Sequence, residues 1–175
     1  MAAFDPNGVG VKGTLFGLPY DVENADIIVM PVPWDVTVSY NSGAIDGPAS
    51  ILEASSQIDY EIPGVTSPWK TKVAMLEIPE MWHTQGIQLR TKAHVYIKWL
   101  EQGSPKDEEE EMLARRDEIN LECTQLMSCV KQQSAYWQGK GKKTILLGGD
   151  HSTPLGHIQA CNEKYGEFGI LQIDA

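Results

Sequence analysis

Four short apolar runs constrain this chain more than any other feature: Asp26 to Val32, Lys72 to Ile78, Lys143 to Leu147 and Phe168 to Ile173. Each is rich in Ile, Val, Leu or Met without clean alternation, the pattern of strands covered on both faces. Helical periodicity fills the intervals. Pro48 to Ile58 sets Ile51, Ala54 and Ile58 on one side, and Gln85 to Leu100 does so with Leu89, Ala93, Ile97 and Leu100. A longer stripe of Met112, Ile119, Cys123, Leu126, Val130 and Trp137 runs from about Pro105 to Trp137 and stops at Gly139-Lys140-Gly141, a good helix-to-strand connector. A last helix is expected from near Ser152, turning Leu155, Ile158, Cys161 and Tyr165 inward. Strands alternating with helices imply a mostly parallel sheet in a three-layer α/β sandwich. Residues 1–25 read as an N-terminal extension and 26–175 as part of one α/β domain, with Tyr60 to Trp69 a surface excursion over the sheet edge. No helix follows the last strand, so the fold is expected to be incomplete at its C-terminus, with an open edge that invites association.

A length of 175 residues is about one domain. The formal charge of −10 argues against nucleic acid, whose phosphates need a basic face. Much of it lies in Asp107-Glu108-Glu109-Glu110-Glu111, after Ser104-Pro105, which reads as an N-cap and first helical residue. Acids in a first turn complement the helix dipole by about 0.3–1 kcal/mol each, so this run is read as a helix start. No stretch approaches the roughly 18 to 20 apolar residues that span a bilayer, and the N-terminus lacks the features of a signal peptide. The cytoplasm is the default location. Cys123, Cys129 and Cys161 show no paired spacing, and the first two lie about 240° apart around a helix, so ordinary reduced thiols are expected.

Two runs end in residues with ligand chemistry: Leu146-Leu147-Gly148-Gly149-Asp150-His151-Ser152, and Gly169 to Asp174. Gly148 and Gly149 are expected to let the chain turn sharply out of its strand, with Asp150 or Ser152 free to cap the next helix. A capped turn with a solvent-facing His151 is the competing account. Asp174 weighs against it, because an ionised carboxylate at a buried strand tip is costly unless a charge or metal meets it. Histidine with aspartate suits Mn²⁺, Ni²⁺ or Zn²⁺, and adjacent strand tips are where open parallel sheets build sites. His157 falls on a different helical face and reads as packing or surface. His83, in a loop after Pro79-Glu80, and His94, in mid-helix, lack carboxylate partners at ligand spacing and read as structural or solvated.

Gly-Gly-Asp-His-Ser at 148–152, with strand-Asp-Ala at 174–175, resembles the metal motifs of the arginase/agmatinase (ureohydrolase) family. Pro31-Val32-Pro33-Trp34-Asp35 followed by Gly43-Ala44-Ile45-Asp46-Gly47-Pro48-Ala49-Ser50-Ile51 looks like the agmatinase branch. Read alone, that stretch is a βα loop with tight turns at Gly43 and Gly47 and a helix starting at Pro48. The resemblance implies the N-terminal half of an arginase-like enzyme with two metal ions, usually Mn²⁺ and with Ni²⁺ possible, that hydrolyses a guanidino compound to urea and an amine. It implies His151 and Asp174 as metal ligands and Asp150 as the acid that orients the ligand, and it assigns no catalytic or substrate-binding residue. The implied partners are a small cationic guanidino substrate and further copies of the chain, as a trimer or hexamer. The family's remaining ligands would fall after Ala175, so the chain alone is expected to lack most of the metal cage and to be inactive.

Ile45 stands where agmatinases usually carry Arg, and Asn41-Ser42 where they carry Arg-Pro. Agmatine, arginine, another guanidino compound and free guanidine therefore stay open as substrates. A reading from another class is a non-catalytic, truncated remnant serving as an interaction or assembly subunit. The deacetylases share the general fold, but their paired-histidine motif is not seen.

Overall fold

The computed structural model describes residues 4–38 and 41–173. The principal elements are β1 (Ile27–Val32), α1 (Gly47–Ser55), β2 (Val73–Met75), α2 (Glu80–Glu101), α3 (Glu109–Gly139), β3 (Lys143–Gly148) and α4 (Pro154–Tyr165), joined by short 3₁₀ turns. The strands form one parallel sheet in the order β2-β1-β3. Central β1 explains its unbroken apolar sequence by being buried on both faces. Ile28 and Met30 pack with Ala74 and with Trp137 of α3, whereas Val29 packs with Leu15, Leu18 and Val73, beside Leu52 of α1. The result is the expected α/β arrangement, with a small sheet between two sets of helices. Among the described residues no helix is long and apolar enough to cross a membrane.

The stripe read along α3 is buried as expected, with Met112, Ile119, Cys123, Leu126, Val130 and Trp137 all inward. The α4 helix crosses α3 at close range. A Cβ on Gly156 would lie 2.2 Å from the Met127 carbonyl oxygen, so a side chain there is excluded by backbone. Lys131 and Glu163 pair across the same seam at 2.6 Å.

Several expectations are corrected. The run Phe168 to Ile173 is not a strand: it follows Gly166, whose φ is +75°, and leaves Phe168, Ile170, Leu171 and Ile173 exposed. An apolar run becomes a strand only where a neighbour completes its ladder and covers its faces, and the described sheet ends at β3. In α1 the inward residues are Pro48 and Ser55, while Ile51 is exposed and Ile58 lies exposed beyond the helix. In α4 they are Gly156 and Ala160, and Leu155 and Tyr165 face solvent. In α2, which begins five residues earlier than expected, Leu89 and Ala93 are inward but Leu100 is exposed. Ser104 caps nothing. Its N–H bonds the Trp99 carbonyl at 3.0 Å and its φ is +54°, so it closes α2, and α3 starts later with Glu109, Glu110 and Glu111 in its first turn.

Candidate functional site

The register pairs Val32 with Gly148, so β1 and β3 end side by side at their C-terminal edge. That edge is where parallel α/β sheets place ligands. Beyond β1 the chain stays buried through Pro33, Trp34, Asp35 and Val36. It presses on the turn after β3: the Trp34 carbonyl accepts the Asp150 N–H at 2.9 Å, and the Val32 carbonyl accepts the Gly149 N–H at 3.3 Å. A Cβ on Gly149 would sit 1.5 Å from the Trp34 carbonyl oxygen. Neither Gly148 nor Gly149 has positive φ, so these glycines do not serve a sharp turn as expected. They are small because another backbone runs against them.

Asp150 is 7% exposed. Its Oδ2 accepts the Thr37 N–H at 2.9 Å and the Thr37 hydroxyl at 2.7 Å. Its Oδ1 accepts the Ser152 N–H at 2.9 Å and the Ser152 hydroxyl at 2.5 Å. Four donors fill a carboxylate's capacity, which makes burial of the ionised form tolerable and leaves no lone pair directed at a metal. Asp150 thus knits the turn rather than capping α4, whose N-cap residue Thr153 makes no side-chain cap.

Asp35, 1% exposed, organises the facing loop. Its Oδ2 accepts the Ser42 hydroxyl at 3.0 Å, the Gly43 N–H at 2.7 Å and the Ile45 N–H at 3.4 Å. From α2, Arg90 donates to the carbonyls of Val36, at 3.3 Å, and of Val38. Two consecutive residues at the β1 tip therefore hold both walls of a cleft of about 490 Å³. Its lining is Thr37, Val38, Asn41 and Ala44 on one side and Gly149, Asp150 and His151 on the other, with His151 exposed.

Of the residues expected at the site, the structure brings Asp150 and His151 to this cleft; Asp174 lies outside the described residues. Among the described residues no three His, Cys, Asp or Glu side chains converge as a metal site. The donors present are one exposed imidazole, His151, and a neighbouring carboxylate, Asp150, whose oxygens are already engaged by four donors. They do not by themselves make a cage.

Thr37 and Arg90 stand in none of the sequence motifs, and Asp35 stands in the agmatinase-like motif without a role assigned to it. That role was legible, since Asp35 is an acid just beyond a buried strand, the criterion that singles out Asp174. Gly43 makes a turn at φ +137°, as expected, but Gly47 is the first residue of α1 with φ −52°, not a turn. His83 is corrected too: it lies within α2 and pairs with Asp46 at 2.8 Å. His157 packs as expected, half-buried with Nδ1 3.0 Å from the Ser134 hydroxyl, and burial lowers its pKa. The cysteines are free, and burial pushes the Cys123 thiol up, opposed by the adjacent Trp34 side chain.

The model of the arginase family matches residues 25–175. The chain belongs to the arginase family. It is 31% identical over 157 residues to an N(1)-aminopropylagmatine ureohydrolase of Thermus thermophilus, covering 90% of this chain and 41% of that protein. A protein of the same name from Synechocystis is 27% identical, covering 87% of this chain and 40% of the relative. A putative agmatinase 1 of Schizosaccharomyces pombe is 26% identical, covering 87% and 35%. The chain thus spans roughly two fifths of the length of these relatives. No solved structure gives a significant match.

Proposed function

We propose that this chain carries one edge of the binuclear metal centre of an agmatinase-like ureohydrolase, which hydrolyses a guanidino compound to urea and an amine. The observation that carries the reading is the Asp150–His151 turn. It is held at the C-terminal edge of a parallel sheet by Thr37 and Trp34, in a chain matched along residues 25–175 by the arginase family. His151 and Asp174 would be metal ligands, with Asp150 orienting the His151 turn and the remaining donors supplied by segments outside this chain. When bound, two Mn²⁺ ions, or Ni²⁺ in their place, supply an activated water and stabilise developing negative charge. This chain's residues hold an imidazole and shape the cleft.

The cleft also bears on substrate. Its described lining contains no Lys or Arg, and the buried carboxylate in it, Asp150, is met only by neutral donors. Such walls favour a cationic tail and offer nothing to an α-carboxylate, so agmatine-like amines are favoured over arginine. Urea release by the full-length gene product, with Mn²⁺ or Ni²⁺, from agmatine, N(1)-aminopropylagmatine, arginine and guanidine tests this. Release from the amine-tailed compounds is expected. Release from arginine or guanidine alone would overturn the substrate assignment, and none from any of them would overturn the function. The exposed apolar tail after α4 supports a second reading, assembly with further protein surface, and the size of the native particle tests that one.

A further inference from the structure

We infer that Thr37, bracketed by Arg90, is a positioning residue for the turn that carries His151. Its importance to turnover rests on the function proposed above; its grip on the turn does not. Thr37 leaves the β1 tip with its N–H and hydroxyl both directed at one oxygen, Asp150 Oδ2, at 2.9 and 2.7 Å. Ser152 holds the opposite oxygen through two further bonds. A carboxylate gripped at both oxygens cannot rotate, and bonds to an ionised acceptor are roughly twice as strong as neutral ones. The Asp150 main chain is fixed separately to the Trp34 carbonyl. His151 is the next residue and its side chain is exposed at the cleft, so it takes its direction from backbone that Asp150 fixes.

Arg90 explains why Thr37 can hold this position. Its guanidinium reaches from α2 to the carbonyls of Val36 and Val38, the residues on either side of Thr37. The brace thus acts on the main chain around Thr37. Packing does not account for Thr37 itself, which is exposed and stands outside the apolar clusters. Its described bonds are those to the acid beside His151.

The test uses Thr37→Val, which keeps the shape and the N–H bond but removes the hydroxyl, and Thr37→Ser, which restores the hydroxyl, in the full-length gene product. Orienting partners of a metal-ligand site typically matter by about 10- to 100-fold. Thr37→Val is expected to lower kcat for urea release in that range while KM stays within about 2-fold, the signature of a lost positioning contact rather than lost substrate binding. Thr37→Ser should recover most of the loss. A readout independent of turnover is hydrogen exchange at the Asp150 and His151 amides, expected to quicken about 10-fold in Thr37→Val and little in Thr37→Ser.

Wild-type exchange and kcat in Thr37→Val would overturn the inference. So would equal loss in both variants, which would place the effect elsewhere than the hydroxyl. If the unaltered protein released no urea from any guanidino compound, the proposed function would fall, and exchange at residues 150–151 would still decide the role of Thr37.

Discussion

Gly149 is the position where one added methyl group should do the most damage. In Gly149→Ala the new Cβ would lie 1.5 Å from the Trp34 carbonyl oxygen and 2.5 Å from its carbon, where ordinary contact begins near 3.4 Å. The obstacle is backbone at the tip of the central strand, so it cannot rotate away as a side chain would. Relief needs the β1 and β3 tips to part by about 2 Å, which is more than any hydrogen bond tolerates. The Asp150 N–H to Trp34 carbonyl bond, now 2.9 Å, would be lost, at about 1 kcal/mol. With Asp150 displaced, at least one Thr37 bond to its ionised carboxylate goes as well, at about 1.5–3 kcal/mol. The expected destabilisation is therefore about 2.5–4 kcal/mol, a large fraction of the 5–15 kcal/mol typical of a native domain. Urea unfolding followed by circular dichroism measures it. Gly139→Ala is the control, because a Cβ there meets nothing within 4 Å, and it should be neutral or slightly stabilising. A Gly149→Ala protein within about 0.5 kcal/mol of the parent, the range of ordinary surface changes, would refute the close approach.

His151→Ala should leave the melting temperature nearly unchanged, because the side chain is exposed, while urea release by the full-length gene product falls at least about 100-fold; near-normal turnover would remove His151 from the site. Gly156→Ala should cost about 1–3 kcal/mol in urea unfolding, because its Cβ would meet the Met127 carbonyl oxygen at 2.2 Å, and an unchanged midpoint would mean that α3 and α4 are not so close. Burial lowers the His157 pKa below its ordinary 6.5, so the unfolded chain takes up a proton there first. The stability this gives is present above about pH 6.5 and lost as pH falls through the depressed folded value. Melting temperatures between about pH 8 and pH 5 should drop for the parent and flatten for His157→Gln; parallel curves would exclude His157 as the source.

How well the sequence could be read followed the length of each pattern. The α3 stripe repeats over eight turns and left one face available to the core, so its inward residues could be identified from spacing alone. The helix α1 has nine residues, too few for a repeat to outweigh the pull of neighbouring loops, and the buried positions went to Pro48 and Ser55. Ser55 is there for a bond: its hydroxyl accepts the Phe16 N–H at 2.9 Å, a partner 39 residues away. In α4 the inward positions are the smallest residues, Gly156 and Ala160, because closeness to α3 outweighed apolar bulk. Hydrophobic periodicity is blind to that preference. The strand read at Phe168 to Ile173 had the right composition, but a strand's existence depends on what lies beside it, and composition does not carry that.

The candidate site divides in the same way. His151 and Asp150 stood out because their chemistry is local to a short motif, whereas the residues that hold them act from 113 positions away in the case of Thr37, or from another helix in the case of Arg90. Geometry also sorts the departures from the agmatinase pattern at Asn41, Ser42 and Ile45. Ile45 is buried, with its Cδ1 filling the space where a Cβ on Gly86 would lie at 2.9 Å, so that side chain packs against α2 and does not line the cleft. Ser42 turns its hydroxyl to Asp35 and anchors the loop. Both residues therefore serve the attachment of the loop, Ile45 by packing against α2 and Ser42 by a neutral donor to the Asp35 carboxylate. Asn41 alone among the three lines the cleft beside His151. Of the three departures, it is the one whose side chain a compound bound in the cleft would meet.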